Sequence, residues 1–275
     1  MRHSRNFNLV KFFRYLVMAS GFFLLSSGSA HAESAGGTGS LNSPLPAGVI
    51  YPTPVGILYP GFGIAAGVNA ATLATGKRVT AAQVTAAPPL QGGDSITYLA
   101  SIATSTNKLG WSLGYLGANG GGLMTHGLFA GVGFNLAPIS FGVGLRDADI
   151  SGGFTPNVDF GTKIDVGKDF SFGTVVYNLD QELGVNVGFG YGRKKKESIE
   201  LNFLMPSLGS SDYAVTFAAT VYTGIFGTTF RTTYYLGSKT FSHTLGGLIW
   251  ITQSFNFLVQ LTSPRTLSAG ITYVF

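Results

Sequence analysis

Two histidines are the residues of this chain best suited to acid–base chemistry. His126 and His243 each stand where a loop meets an alternating segment, and Asp147 and Asp149 follow another such segment. A hydrolase requires a nucleophile, a base and an orienting group in mutual contact. No Gly-x-Ser-x-Gly sequence offers a serine nucleophile at a strand–helix turn. We therefore predict no catalytic residue and no enzyme, and a hydrolase built on either histidine is the least favoured alternative.

Sites for metals, cofactors and nucleic acids are not predicted either. No His lies at metal-ligand spacing from an Asp or Glu, and the chain has no Cys, which excludes disulfides and thiolate ligands. The glycines at 61, 63 and 67 depart from dinucleotide-loop spacing and have no βαβ context. The basic run at residues 193–196 is most simply a solvated turn that touches anionic headgroups.

Six charged residues share the small, polar phase of segments that alternate with period two. In residues 183–192, for comparison, Leu, Val, Phe and Tyr occupy one phase, and four glycines and one Asn occupy the other. A basic side chain facing lipid costs about 2–4 kcal/mol at the bilayer midplane, so charges belong on the enclosed face. We expect these residues to line a path for a ligand or to hold a plug by ion pairs; the alternative is that they only solvate or brace the interior. They are Arg146, Asp159, Lys163, Asp165, Glu200 and Arg231.

The alternation predicts fourteen strands, with twelve as the fallback because the first segment is the weakest. The predicted strands cover residues 77–87, 95–106, 109–117, 126–136, 139–146, 157–166, 170–178, 183–192, 197–204, 213–223, 226–236, 243–252, 255–262 and 266–275.

The last of these segments carries the clearest signal. Ile271, Tyr273 and Phe275 fall on one face, and Gly270 and Thr272 fall on the other. Strands of about ten residues, apolar on one face and aromatic at one rim, are typical of transmembrane β-barrels. The segment resembles the C-terminal strand by which bacterial outer-membrane barrels are recognised for assembly, which implies the assembly machinery and outer-membrane lipid as partners. An edge strand of a soluble sandwich is the alternative.

The connections between the predicted strands support a barrel. Those on the side of the C-terminus are short, whereas most of those on the other side are longer, including residues 117–125 and 237–242. Bacterial barrels have short periplasmic turns and longer outer loops. An even number of strands also returns the chain to the periplasmic side.

The N-terminus predicts export. Arg2, Arg5, Lys11 and Arg14 precede an apolar run, and Ala30-x-Ala32 forms a cleavage pattern, so residues 1–32 are interpreted as a signal peptide. Thirteen basic and twelve acidic residues then remain, a net charge of +1, which removes the argument for a nucleic-acid partner. Charged residues make up 11% of the chain, against a usual share of about 25%.

Residues 33–76 differ from the strands that follow, because prolines and small residues dominate them. They are expected to form either a plug in the barrel or a disordered leader, with a short helix near residues 70–74. The sequence Asn69-Ala70-Ala71-Thr72-Leu73-Ala74 is similar to the Asn-Pro-Ala-x-Leu-Ala motif that ends the N-terminal hatch of FadL-type outer-membrane transporters. Ala70 replaces the proline of that motif, and this chain is much shorter than those transporters.

The sequence thus predicts an all-β fold, a transmembrane antiparallel up-and-down β-barrel over residues 77–275 with a hatch at residues 33–76, in the cell outer membrane. The resemblance implies passage of small hydrophobic molecules such as long-chain fatty acids, and a hydrophobic small molecule as ligand. A structural or surface-interaction barrel without transport is the main alternative.

Overall fold

The structure is a computed structural model of the whole chain. It describes residues 58, 65–74, 78–87, 96–120, 123–147, 150, 153–179, 183–193, 197–208, 213–252, 254–262 and 266–275. The chain divides into two compact units, residues 1–38 and 39–275, and all described residues belong to the second. The predicted signal peptide therefore lies outside the described residues, as does most of the predicted hatch.

The described residues form a closed barrel of fourteen antiparallel strands, each paired with its neighbours in sequence. The first strand pairs with the last, in a register that runs from Ala81 opposite Val274 to Ala86 opposite Ala269, and this pairing closes the barrel. The prediction of fourteen strands is confirmed. The strands are β1 Val79–Ala87, β2 Ile96–Ser105, β3 Leu109–Gly120, β4 Leu123–Leu136, β5 Ile139–Asp147, β6 Asn157–Val166, β7 Phe170–Tyr177, β8 Gly184–Arg193, β9 Glu197–Met205, β10 Ala214–Thr223, β11 Phe226–Tyr235, β12 Thr240–Trp250, β13 Phe255–Thr262 and β14 Thr266–Val274.

The two faces of each strand differ in the way the alternation predicts. On β7, Phe170 and Phe172 are exposed on the outer face, while Ser171 and Val175 are buried on the inner face. The C-terminal residues Ile271, Tyr273 and Phe275 are likewise exposed. Exposure of so many large apolar side chains to water is unfavourable. An apolar surface of this extent is typical of a protein that meets another apolar phase or partner there.

The turns at the end of the barrel that holds the C-terminus are short, as expected. Gly167 follows β6 with φ +71°, and Gly224 follows β10 with φ +63°. These left-handed backbone angles suit glycine, which has no Cβ to clash with the neighbouring carbonyl. Both glycines allow the chain to reverse within a few residues.

The prediction of two outer loops, at residues 117–125 and 237–242, is wrong because the strands extend into both ranges. β3 runs to Gly120 and β4 begins at Leu123, so residues 117–125 are mostly paired strand. The glycines here resemble a loop in sequence, but the ring of Tyr98 covers Gly117, where a Cβ would lie 2.1 Å from that ring. An aromatic neighbour thus supplies the packing that glycine lacks. Similarly, β12 begins at Thr240, inside the loop expected at residues 237–242.

Two short helical segments precede the barrel strands. The α-helix α1 covers Ala65–Val68, and a 3-10 helix covers Ala70–Leu73. Asn69 lies between them and caps the second, since its side-chain oxygen accepts a hydrogen bond from the Ala71 amide at 3.1 Å. Among the helices that the structure describes, none has the length and apolar character needed to cross a membrane.

Candidate functional site

The candidate site is the interior of the barrel, where part of the N-terminal region packs against the wall. We call Leu58 together with residues 65–74 the lumenal segment. α1 contacts β3, β4 and β5, and the 3-10 helix contacts β2 to β6. The hatch-motif residues Asn69, Ala70, Ala71 and Leu73 are all at most 3% exposed.

Glycine on the inner face of the barrel makes room for this segment. A Cβ on Gly142 would lie 2.2 Å from the backbone of Ala70, and one on Gly110 would lie 2.3 Å from the Leu73 carbonyl oxygen. Real Cβ atoms do not approach backbone so closely, so any larger residue would force the two backbones apart. We call these inward glycines the glycine wall: Gly110, Gly131, Gly133, Gly142, Gly144, Gly161 and Gly173.

Gly142→Val is expected to loosen the lumenal segment, because the new side chain would overlap the backbone of Ala70. Overpacking of this kind costs about 1–3 kcal/mol. Hydrogen exchange of the amides of residues 69–73 should become faster in the variant barrel. Gly247→Val is the matched control, since a Cβ on the outward-facing Gly247 meets nothing within 4 Å. Equal exchange in both variants would contradict close packing on the glycine wall.

Hydrogen bonds fasten the lumenal segment to the barrel at several points. The side-chain amide of Asn69 donates to the Thr162 carbonyl at 3.2 Å, and that of Asn135 donates to the Ala74 carbonyl at 3.3 Å. The backbone amide of Leu58 donates to Glu200 Oε1 at 2.9 Å. Backbone amides and carbonyls that are buried away from water need such partners.

A buried charged network lies beside the lumenal segment and contacts it at Val68. Arg146 forms an ion pair with Asp159, and its Nη2 donates to Asp159 Oδ1 at 3.1 Å and to Asn178 Oδ1 at 3.0 Å. The guanidinium carbon lies 5.5 Å from the centroid of the Tyr177 ring, and the Tyr177 hydroxyl donates to the Val68 carbonyl at 3.5 Å. The side chains of Arg146 and Asp159 are each only 6% exposed. The network therefore links three strands to the lumenal segment.

The other predicted charges are placed differently. Lys163 Nζ lies 3.1 Å from Asp165 Oδ1, in a pair whose side chains are 20% and 46% exposed. Glu200 is buried on the inner face of β9, and Arg231 is half-buried on the inner face of β11. All six candidates thus face inward, but the structure gathers them into separate groups along the barrel wall.

An apolar cluster fills the space between the lumenal segment and the wall. Leu58, Val68 and Leu73 contribute from the segment, while Leu99 and Phe129 contribute from β2 and β4. Each of these side chains is at most 7% exposed. The interior of the barrel therefore has an apolar part as well as a charged one.

The two histidines are not brought together. His126 lies on β4, where its Nδ1 forms a hydrogen bond with the Tyr115 hydroxyl, and His243 lies on β12, 2.9 Å from the Thr232 hydroxyl. Both point to the outer face. Within the residues that the structure describes, no three His, Asp or Glu side chains are grouped to hold a metal ion.

Sequence reasoning missed the partners of the charged residues. Asn178 and Tyr177, which complete the Arg146 network, and Asn135, which holds Ala74, carry no motif. The glycine wall did have a signal, namely glycines in the inward phase of successive strands. In the structure the lumenal segment fills the space beside these glycines.

A scan against protein-family models finds none that matches the chain, and a search of curated proteins also finds no match. Solved structures do resemble it. A mutant of the Rh. blastica porin and a triple mutant of the Rhodopseudomonas blastica porin are each 9% identical, with a TM-score of 0.45 over 72% of this chain and 98% of theirs. A structure described as "Asymmetric conductivity of engineered proteins" has the same identity and TM-score, and the match covers 72% of this chain and 99% of that one.

Proposed function

We propose that this chain is an outer-membrane barrel through which small molecules pass. The observation that carries the proposal is the opposite chemistry of the two faces. Large apolar side chains stand exposed on the outside of the barrel, for example Leu201 at 50% and Phe189 at 42%, while the charged candidates all face inward. A closed barrel leaves no strand edge unpaired, which is what a β-structure needs to reside in lipid.

Lipid is the partner that best fits the outer surface. The exposed apolar residues recur on strands all around the barrel, from Val84 on β1 to Ile271 on β14. Water would penalise this surface by about 25 cal/mol for each Å² of apolar area, whereas acyl chains would not. Export with a cleaved signal peptide and assembly through the C-terminal strand are part of the same proposal.

In this proposal the lumenal segment serves as a hatch. It occupies interior space along β2 to β6, so a solute must either pass beside it or displace it. Its small residues and its hydrogen bonds to Glu200, Asn135 and Thr162 fix its position in the described conformation. Opening would require these bonds to be exchanged for others.

Hydrophobic molecules are the proposed cargo. The apolar cluster around Leu73 and Phe129 supports this, because a hydrophobic solute that entered beside the segment would meet apolar side chains there. The resemblance of residues 69–74 to the FadL-type hatch motif points the same way.

Uptake into liposomes and conductance across planar bilayers test the proposal. The mature chain should admit a fatty acid or pass ions, and both activities should rise in a chain that lacks residues 33–76 or carries Gly142→Val. Gly247→Val should behave like the unaltered chain. The proposal fails if none of these proteins conducts or takes up the probe.

A structural barrel without transport is the second candidate. The buried pair of Arg146 and Asp159 favours it, since a network with 6% exposed side chains acts as a brace and not as a lining for solutes. This candidate predicts that neither the full chain nor Gly142→Val conducts ions across a planar bilayer or takes up the probe into liposomes.

A further inference from the structure

We propose that basic residues at one end of the barrel bind the headgroups of anionic phospholipids. That end holds the C-terminus and the short connections, and we call it the turn end; the opposite end is the loop end. The inference rests on the proposed function, because it assumes a barrel that resides in lipid. It deepens that function by naming the class of lipid that one end prefers.

Charge is distributed unequally between the two ends of the barrel. The connections at the turn end, together with residues 77–78 before β1, carry seven basic side chains and one acidic side chain, a net charge of +6. The connections at the loop end carry two basic and five acidic side chains, a net charge of −3. An imbalance of this size attracts anions to the turn end and repels them from the loop end.

Three of the basic residues at the turn end are described with exposed side chains. Lys108 lies between β2 and β3, and Lys168 lies between β6 and β7. Arg78 lies just before β1, whose first residue, Val79, pairs with the last residue of β2, Ser105. Arg78 and Lys108 therefore flank the same pair of strand ends. We call Arg78, Lys108 and Lys168 the basic collar.

The acidic residues in the strands at this end do not cancel the collar. Lys163 Nζ lies 3.1 Å from Asp165 Oδ1, and Arg193 is the register partner of Glu197. These two pairs have no net charge. The positive excess at the turn end therefore comes from the connections, which lie beyond the ends of the strands.

Aromatic side chains mark the level of the headgroups at the turn end. Trp111 and Tyr273 are exposed on the outer face. Such rings are typical of the boundary between acyl chains and headgroups, because they combine an apolar body with one polar group. Lys108 precedes Trp111 by three residues, and Lys168 precedes the exposed Phe170 by two. The collar thus lies just beyond this boundary, where long basic side chains reach phosphate groups.

An anionic headgroup fits the collar better than a zwitterionic one. Each basic residue near a membrane surface strengthens the attraction to anionic lipid, and the effect declines within a Debye length, about 10 Å in 0.1 M salt. A zwitterionic headgroup has no net charge, so it gains much less from the collar. Phosphatidylglycerol, whose phosphate gives it a single negative charge, is therefore the lipid used in the test, and phosphatidylcholine is the neutral reference.

The fluorescence of Trp111 gives a local test of this preference. The chain has two tryptophans, and Trp250→Phe leaves Trp111, which is exposed on the outer face near Lys108, as the sole fluorescent indole. This parent barrel is placed in phosphatidylcholine vesicles that contain dibrominated phosphatidylglycerol or dibrominated phosphatidylcholine, whose bromines quench a nearby tryptophan. Phosphatidylglycerol should associate beside Trp111 about fivefold more strongly, the factor that one basic residue near the surface supplies. Sodium chloride at about 1 M should abolish the preference, because it shortens the Debye length to about 3 Å.

Substitutions in the collar should change the ratio of the two association constants. The ratio should fall toward one in Arg78→Gln/Lys108→Gln, whereas Lys108→Arg should preserve it. Lys239→Gln is the matched control for Lys108→Gln, because Lys239 is an exposed basic residue in a short connection at the loop end. Lys108→Gln should lower the ratio and Lys239→Gln should not. Equal quenching of the parent barrel by the two lipids, or equal ratios in Lys108→Gln and Lys239→Gln, would overturn the proposal and leave a soluble acidic partner as the occupant of the collar.

Conductance separates this proposal from the proposed function. Insertion, seen as heat-modifiable gel mobility, and conductance should both occur in pure phosphatidylcholine, since the apolar outer face does not depend on the headgroup. A barrel that inserts and conducts but shows no preference for phosphatidylglycerol would refute the headgroup site and keep passage. A barrel that shows the preference but never conducts would refute passage and keep the headgroup site.

Discussion

Arg146→Met is expected to lower the free energy of unfolding by about 3–5 kcal/mol, because it leaves the carboxylate of Asp159 buried without its counter-charge. Asp159 is 4% exposed, and it also accepts a hydrogen bond from the Asn178 amide at 3.0 Å. That single amide cannot replace a guanidinium that binds both carboxylate oxygens. Urea titration in lipid vesicles, followed by heat-modifiable gel mobility, measures the loss.

Lys163→Met is the matched control, since the same substitution breaks a second ion pair of the barrel, between Lys163 and Asp165. Its partner Asp165 is 46% exposed and keeps a hydrogen bond from the Ser171 hydroxyl at 2.7 Å. Water solvates a carboxylate left in such a place, and exposed pairs contribute about 0–1 kcal/mol. The double variant Arg146→Met/Asp159→Leu should regain much of the lost stability. Similar losses from Arg146→Met and Lys163→Met would show that burial of the first pair has no energetic consequence.

Strand alternation made the barrel predictable from sequence. Successive side chains of a strand point to opposite faces of the sheet. A strand between an apolar exterior and a polar interior therefore has apolar residues at every second position and small or polar residues between them. The predicted limits of β6 and β13 agree with the structure at both ends, because charged or polar turns bound them. The same alternation placed all six charged candidates on the inner face.

Contacts between distant parts of the chain were not predictable in the same way. The tight connection after β3 was missed because Gly117 resembles a loop residue until the ring of Tyr98, on the neighbouring strand, is seen to cover it. The partners of Arg146 were missed for the same reason, since Asn178 is 32 residues away and lies at the end of another strand. Such contacts can be found only when it is known which residues of neighbouring strands lie opposite each other. The composition of a single segment does not give this information.

The position of the lumenal segment was predictable only in part from the sequence. Its small residues and the inward glycines could each be seen in the sequence, but nothing local relates Ala70 to Gly142. Their complementarity is steric, because a backbone can approach a strand closely only where the strand has no Cβ. Glycine in the inward phase of several adjacent strands is therefore a usable signal for a segment packed inside a barrel.

Leu201→Arg is expected to lower the free energy of unfolding in lipid by about 2–4 kcal/mol, the cost of a basic side chain at the bilayer midplane. Leu201 is the central residue of β9, is 50% exposed and points outward between Phe189 and Phe217. If water covered this face instead, an exposed Leu→Arg change would stay within about ±0.5 kcal/mol. Lipid and water around Leu201 therefore predict different losses of unfolding free energy, and the same urea titration can distinguish them.

The control for Leu201→Arg is the same substitution at a position nearer the membrane surface. Leu136 is the last residue of β4, at the turn end, and is 66% exposed, so Leu136→Arg makes the same substitution near the membrane interface. A basic residue there costs only about 0–1 kcal/mol, because its long side chain reaches the headgroups and water. Leu201→Gln separates charge from the loss of apolar surface, and it should cost less than Leu201→Arg. Equal and small effects at positions 136 and 201 would mean that the outer face does not lie in a bilayer, and the proposed passage across a membrane would fail with it.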